Sequence, residues 1–351
     1  MSYAEAGVDI AAGDRAVELI GDVVLRTRRP GVVGGFGGFA SLFELDLNRW
    51  PRPLLASSTD GVGTKIAVAR AMGIHDTVGI DLVAMLVDDL VCCGAEPLFL
   101  QDYIAVGRVV PERIHALVTG IAAGCKLAGC ALVGGETAEH ADLMGAEDYD
   151  LSGTAVGVVD TSSRLGAERV RAGDVLVAMG SSGLHSNGYV LARRVLLRDA
   201  GLDLQAEPAG LGRSLGAELL EPCRIYAKDC LALAALPTIR VFAHITGGGL
   251  AANLARVLPT GTEAVLDRAT WSPQPIFGLI GELGGVAPAG LERTFNMGVG
   301  MVAVVGAQDA DRALRLLADR GVPAWVAGIV GVAKGPAPTG TARLVNDYGT
   351  G

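Results

Sequence analysis

Several stretches of this chain concentrate the residue types that handle phosphates and divalent cations. Residues 57–65 read Ser-Ser-Thr-Asp-Gly-Val-Gly-Thr-Lys directly after the apolar run Leu54-Leu55-Ala56, so a buried strand ends on a carboxylate, two glycines, a hydroxyl and an ammonium. Gly61 and Gly63 let the backbone turn sharply and approach a ligand, Asp60 can hold a cation, and Lys65 can reach a phosphate as a point charge. The same residues also suit a plain strand-to-helix turn in which Asp60 caps a helix over residues 62–71, and this stretch alone leaves both readings open. Two later stretches shift the balance. Asp89 stands at one end of a helical turn that Gly94-Ala95-Glu96-Pro97 breaks off, and Gly134-Gly135-Glu136-Thr137 follows a second apolar strand, Ala131-Leu132-Val133. Carboxylates at the ends of separate strands are how open α/β sheets assemble ligand crevices, so Asp60, Asp89 and Glu136 are a candidate Mg²⁺ set beside the phosphates of a nucleotide.

A second kind of site is written further along. Ser181-Ser182-Gly183-Leu184-His185-Ser186-Asn187-Gly188 follows a strand and opens a helix, so its amides and hydroxyls can form an anion nest; His244-Ile245-Thr246-Gly247-Gly248-Gly249 repeats the arrangement. One such turn is usually only a connection, whereas two, each bearing a histidine, point to a phosphate or ribose site. His75 and His115 have no such setting and read as ordinary surface or core residues. Residues 30–39 lose all periodicity and carry five glycines between positions 31 and 38; inside a domain and just before a strand, they read as a mobile flap rather than a linker.

Taken together, Gly34-Gly35-Phe36-Gly37-Gly38-Phe39, the Asp60 to Lys65 loop, the element ending at Pro97, Gly134 to Glu139, the two histidine-bearing turns and Thr294-Phe295-Asn296-Met297-Gly298-Val299-Gly300 closely resemble the phosphoribosylformylglycinamidine cyclo-ligase family. The resemblance runs from Ala6-Gly7-Val8-Asp9 to Gly328-Ile329-Val330. It implies an ATP- and Mg²⁺-dependent enzyme of purine biosynthesis, a homodimer whose small-molecule substrates are ATP and formylglycinamidine ribonucleotide. ATP phosphorylates the formyl amide oxygen, an amidine nitrogen attacks the activated carbon, and phosphate leaves as the imidazole ring closes. By the same resemblance Lys65, Asp60, His185 and His244 serve the reaction. Gly34, Gly35, Gly37, Gly38, Thr59, Gly61, Gly63, Thr64, Asp81, Asp102, Gly134, Gly135 and Thr137, with Ser182, Ser186, Asn187, Thr246, Gly247 and Gly248, hold the ligands. Two positions depart from the family pattern: Asp88 stands where Asn is common, and Ala141-Asp142 replaces a usual Pro-Gly. Relatives with the same ATP architecture fit less well. A selenophosphate synthetase is expected to carry a reactive Cys near its start, but the first Cys here is Cys92; a carbamoyl dehydratase is expected to end on Cys; a thiamine monophosphate kinase would lack the His185 and Thr294 blocks.

Composition agrees with a small-molecule enzyme. With 38 acidic against 29 basic residues, the net charge of −9 gives no basic footprint for nucleic acid or an anionic membrane. Only Lys65, Lys126, Lys228 and Lys334 are lysines, the other basic residues being arginine, so a lysine in the glycine loop is no accident of composition. Cys92, Cys93, Cys125, Cys130, Cys223 and Cys230 show no metal-binding spacing and read as small buried hydrophobes. The first residues lack a signal-peptide pattern and no apolar run reaches membrane-spanning length, which fits a reducing cytoplasm. A catalytically silent nucleotide-binding protein would be expected to have lost the acids at 60, 89 and 136, and all three are present.

The elements that must position these residues alternate. A helix over 14–28, strands over 40–45 and 54–59, a largely apolar helix over 77–93 whose acids Asp81, Asp88 and Asp89 need partners or a cavity, strands over 98–106, 130–133 and 151–159 and a helix over 112–128 make a first domain, with an acidic excursion over 142–149. The pattern restarts at a strand over 175–179. It continues as helices 188–198, 222–235, 250–258, 275–283 and 310–320 between strands 241–244, 263–266, 299–305 and 324–329. The expectation is an α/β protein of two domains, each a mixed sheet packed with helices, with an active-site cleft between them. Residues 1–170 form the nucleotide and dimerisation domain, 171–340 the substrate domain, and 341–351 a tail without a usable motif.

Overall fold

The computed structural model describes residues 9–333, 335 and 339–349; the start of the first resembling block, Ala6 to Val8, and Lys334 lie outside them. The chain divides into two compact units, Met1–Leu90 with Ala95–Ser162, and Val91–Gly94 with Ser163–Gly351.

The first unit opens with α1 (Ile10–Leu25), whose N-cap Asp9 accepts from the Ala12 N–H. The short strands β1 (Val32–Val33) and β2 (Leu42–Phe43) pair antiparallel across the glycine-rich segment. β3 (Pro53–Gly61) leads through a 3-10 turn, Gly63–Lys65, into α2 (Ile66–Met72) and α3 (Val78–Val91). β4 (Glu96–Val106), α4 (Pro111–Ala128), β5 (Ala131–Glu139) and β6 (Tyr149–Asp160) follow. Pro111 at the first turn of α4 and the left-handed Gly129 after its last turn bracket that helix as the sequence signals require. The strands order as β3-β6-β4-β5, antiparallel except for β4 with β5, so β3 and β5 are the two outer strands.

The second unit holds a six-stranded sheet in the order β12-β9-β11-β7-β10-β8, made of β7 (Val175–Gly180), β8 (Ile239–His244), β9 (Thr262–Asp267), β10 (Val299–Val305), β11 (Ala324–Val332) and β12 (Thr341–Val345). Its helices are α5 (Tyr189–Arg193), continued as a π-turn over Arg194–Asp199, then α6 (Leu215–Leu220), α7 (Ala227–Ala234), α8 (Gly249–Ala255), α9 (Pro275–Gly284), α10 (Pro288–Thr294) and α11 (Ala310–Asp319). Leu176, Val241, Leu254, Leu266, Trp271, Val302 and Val330 close into one core under the sheet.

Several expectations change. The polar residues after 340 are no bare tail: β12 pairs parallel with β9, and Tyr348 packs edge-on against Trp271 at 5.4 Å. α6 and α10 were not read from the pattern, and the helix expected over 222–235 begins only at Ala227. Asp60 does not cap the following helix, because its Oδ1 accepts the Gly61 N–H at 2.7 Å while the chain is still in β3. β5 runs on through the glycines to Glu139, so Glu136 lies within a strand rather than at its end.

Candidate active site

In the first unit the register of the sheet decides which candidates meet. Asp60 of β3 pairs with Gly153 of β6, Gly153 with Asp102 of β4, and Asp102 with Gly135 of β5, so four positions form one row across the sheet. Directly opposed residues share a face, which places the Asp60 and Asp102 strands two spacings apart, roughly 10 Å. A Cβ on Gly135 would stand 1.8 Å from Asp102 Oδ1, so only glycine leaves room for that carboxylate. Glu136 lies one row further on, opposite Tyr103. The neighbouring row carries Thr59, whose hydroxyl is 2.8 Å from that of Thr154, and Gln101 opposite Gly134.

Beside Asp102 a cavity of about 230 Å³ opens between α1, α4 and the strands. Ala16, Val17, Ile20, Ile114, Val118 and Phe36 give it apolar walls, and Gly134, Gly135 and Thr137 give it a polar edge. Among the described residues, Asp102 and Glu136 are its only charged lining groups. Burial dominates, and the Asp102 carboxyl is pushed up to about 7 against a smaller opposing effect of a backbone hydrogen bond. Phe36 thus belongs to the cavity wall, whereas Phe39 of the same glycine-rich segment is fully exposed. Gly34 and Gly37 take left-handed φ values of 87° and 92°, and Arg28 donates to the Gly34 carbonyl.

Lys65 is placed otherwise than its motif suggests. Its ammonium sits 2.9 Å from both carboxylate oxygens of Asp81, and both side chains have no exposed surface, so the pair is internal to the unit. Thr64 and Gly63 are the exposed members of that loop. Asp89 is exposed on the last turn of α3, while Asp88 beside it is fully buried.

The proposed Mg²⁺ set is not gathered on one ion. Asp60 and Glu136 lie on opposite outer strands, roughly 14 Å apart at three strand spacings. Among the described residues no group of three or more His, Cys, Asp or Glu side chains stands ready to hold a metal. The donor chemistry still suits Mg²⁺: it keeps several waters and is usually held by one or two carboxylates plus substrate phosphates, which the partly open Asp60 and the exposed Glu136 can each supply.

In the second unit both histidine-bearing turns come to one end of the sheet. β10 lies between β7 and β8, with Val299 opposite Gly180 and Met301 opposite His244, so the turns leaving β7 and β8 flank the entry to β10. They approach one another: Asn187 Oδ1 is 3.3 Å from where a Cβ on Gly247 would stand. His185 is buried at a left-handed φ of 62°, and its Nε2 accepts the Ser182 N–H at 3.2 Å, which fixes the proton of a neutral ring on Nδ1. The Ser182 hydroxyl donates to the Pro222 carbonyl and accepts from the Arg224 N–H. Asn253 Nδ2 donates to the carbonyls of Thr246, Gly247 and Gly249, shaping the second turn. His244 is buried at the end of β8, and Ser186 is nearly so.

Residues 47–159 match the N-terminal domain of the AIR synthase related proteins, and residues 171–339 match their C-terminal domain. A phosphoribosylformylglycinamidine cyclo-ligase from Myxococcus xanthus is 52% identical over 96% of this chain and 97% of its own length. The chain belongs to this cyclo-ligase family. A second cyclo-ligase, from Brevibacillus brevis, is 48% identical over 93% of this chain and 94% of its own. Among solved structures, thiamine-monophosphate kinase from Stenotrophomonas maltophilia shares the fold, with a TM-score of 0.69 at 20% identity over 94% of this chain and 96% of that one. The protein is accordingly an ATP-dependent cyclo-ligase of purine biosynthesis.

For this cyclo-ligase the structure adds residues that sequence reasoning passed over. Asn296, Gln274 and Asn253 hold the two turns from outside them. Asn296 carried a signal, since it lies in one of the family blocks, but nothing in its own stretch says that it serves a turn more than a hundred residues away. The Lys65–Asp81 pair was equally hidden, because each residue had a separate, ligand-facing interpretation.

Proposed function

We propose that the first unit takes Mg-ATP and the second receives formylglycinamidine ribonucleotide. The reading rests on the row Asp60-Gly153-Asp102-Gly135 beside an apolar cavity: a carboxylate flanked by glycines, next to a pocket whose walls suit a flat base. The cavity takes the base, with the Asp102 carboxyl as its polar contact, and Gly134, Gly135 and Thr137 edge it. Gly61, Gly63 and Thr64 present backbone amides and a hydroxyl to the phosphates. Mg²⁺, when bound, would be held by Asp60, with Glu136 and Asp89 at separate positions, and would offset phosphate charge. Lys65 acts from beneath as the fixed counter-charge of Asp81 and so sets the course of the loop after Asp60.

The formyl amide oxygen attacks the γ-phosphorus, ADP departs, the amidine nitrogen closes on the activated carbon, and phosphate leaves with the former amide oxygen. The chain's contribution is chiefly positioning and exclusion of water, since holding both substrates supplies effective molarities of order 10⁵ M or more. In the second unit the turns at 181–187 and 244–248 take the ribonucleotide's phosphate and ribose through amides and hydroxyls. His185 serves there by holding the turn, because its Nε2 is taken by the Ser182 N–H. Gly34 to Phe39 closes over the ATP phosphates.

The working form is a homodimer joined through the first unit, where Leu55 and Tyr103 of the sheet remain 65% and 40% exposed, with the interface bordering the nucleotide site. A cytoplasmic setting fits six free thiols, and among the described residues no helix is long and apolar enough to cross a membrane. Mixing the protein with formylglycinamidine ribonucleotide and Mg-ATP tests the reading. Stoichiometric ADP and aminoimidazole ribonucleotide are expected, and ATP hydrolysis without ring closure would overturn it.

A further inference from the structure

Glu139 closes β5, and both of its carboxylate oxygens are turned on backbone amides of other elements. Oε2 accepts the Asp9 N–H at 2.8 Å, and Oε1 accepts the Val109 N–H at 2.7 Å. Asp9 is the N-cap of α1, and the backbone N–H of an N-cap is the one that a glutamate three residues further on takes in a capping box. Here that position is Ala12, the first turn of α1 carries no acid, and β5 supplies the carboxylate instead. Val109 lies two residues before α4. The two amides therefore stand at the approaches to α1 and α4, the helices that wall the cavity beside Asp102. The path from Glu139 to the cavity is short on each side. The Gly13 N–H donates to the Asp9 carbonyl at 3.1 Å, and Gly13 and Val109 both line the cavity, as does Thr137 on the strand that Glu139 ends. One carboxylate thus ties together a strand and two helices that each contribute lining residues.

We infer that Glu139 is a positioning residue for Mg-ATP: by accepting from Asp9 and Val109 together, it holds the starts of α1 and α4 against the end of β5 and so keeps the cavity in the shape that takes the base. This rests on the reading that the cavity receives the base of ATP. Glu139 acts through the two helices and not on the reacting atoms. Hydrogen bonds to an ionised acceptor are roughly twice as strong as neutral ones, which suits a tie that must hold a helix terminus in place. A carboxylate accepts at both oxygens, whereas a side-chain amide accepts at one and sets an N–H against the other partner. Glutamine in this position can therefore keep only one of the two ties, although it has the same size.

The experiment compares Glu139→Gln and Glu139→Ala with Gly13→Leu in the full-length enzyme, measuring KM for each substrate, kcat and the melting temperature. Gly13→Leu fills the cavity directly, since a Cβ at that position meets nothing within 4 Å. For Glu139→Gln, KM for Mg-ATP should rise about 5- to 20-fold with kcat falling less, while KM for formylglycinamidine ribonucleotide stays within about twofold. Glu139→Ala should follow the same split with a larger rise, and Gly13→Leu should raise KM for Mg-ATP as well. A purely structural role would lower the melting temperature and leave both KM values alone, or move both together, and either result overturns the inference. If Gly13→Leu raises KM for Mg-ATP while neither Glu139 variant does, the cavity takes the base and Glu139 does not position it. If the Glu139 variants raise it and Gly13→Leu does not, their effect bypasses the cavity and the inference is overturned. If all three keep the parental KM for Mg-ATP, the reading of the cavity falls as well. Failure of both Glu139 variants to fold would make the residue part of the fold alone and overturn the inference too.

Discussion

Replacing Asp102 with Asn should remove a pH dependence that the free protein carries between about pH 4 and pH 7. The carboxyl lines a cavity together with Ile20, Ile114, Val118 and the glycines of β5, none of the described lining residues is a cation, and burial pushes it up to about 7 from an ordinary 3.8. The folded state therefore holds a proton that the unfolded chain releases across that window. A raised folded-state value means the contribution is complete below the unfolded value and is lost as pH rises through the folded one. Three pH units at about 1.4 kcal/mol each set a ceiling of about 4 kcal/mol, and because Asp102 keeps some exposed surface, about 2 kcal/mol is the better expectation. The amide variant has nothing to titrate, so its stability relative to the parent should climb by that amount from about pH 4 to pH 7 and then level off.

Urea unfolding of both proteins, without nucleotide or metal, provides the measurement. The chain has two compact units and need not unfold in one step, so the transition to follow is that of the first unit, which contains Trp50. Taking variant minus parent at each pH cancels the other titrating groups. Parallel curves over the whole window would refute the argument that Asp102 is protonated in the folded protein near neutrality.

The other predictions concern the same unit. Lys65→Met should destabilise it by about 3–5 kcal/mol by stranding the buried Asp81 carboxylate, and Lys65→Met with Asp81→Leu should recover much of that loss; equal melting temperatures for the two variants would contradict the pairing. Asp89→Asn should cripple turnover at limiting Mg²⁺, and near-normal activity there would remove Asp89 from the metal-handling residues. Gly37→Pro, at a φ of 92° that proline cannot adopt, should cut kcat far more than it lowers the melting temperature, and protease cleavage near Phe36 should slow when Mg-ATP is added. Sedimentation at working concentration should show a dimer, and a fully active monomer would refute the proposed interface.

What the sequence disclosed and what it withheld divide along sequence distance. The alternation of strands and helices, the glycine turns and most element positions were legible, because each depends on neighbours a few residues away: Pro111 starts α4 and Gly129 ends it. β12 was missed because a polar, glycine-rich stretch becomes a strand only by pairing with β9, nearly eighty residues earlier. The continuation of β5 through Gly134 and Gly135 was missed for a related reason. Glycines normally weaken a strand, but here the pairing with β4 carries the strand onward, and the missing Cβ at 135 is what admits the Asp102 carboxylate.

The same logic governs the site. A motif tells which chemistry a residue can perform, whereas burial and partners tell which it does perform. Lys65 has the right type and setting to meet a phosphate, yet Asp81, sixteen residues on, takes its charge into the interior, where separating the pair would cost far more than a surface contact returns. Asn296 shows the converse, an amide with no evident partner in its own stretch that the fold brings to Gly183 and Gly298 together. In this cyclo-ligase buried polar residues behind the glycine turns of the second unit hold the course of those turns. Substitutions behind the loops should therefore alter substrate affinity as strongly as substitutions within them.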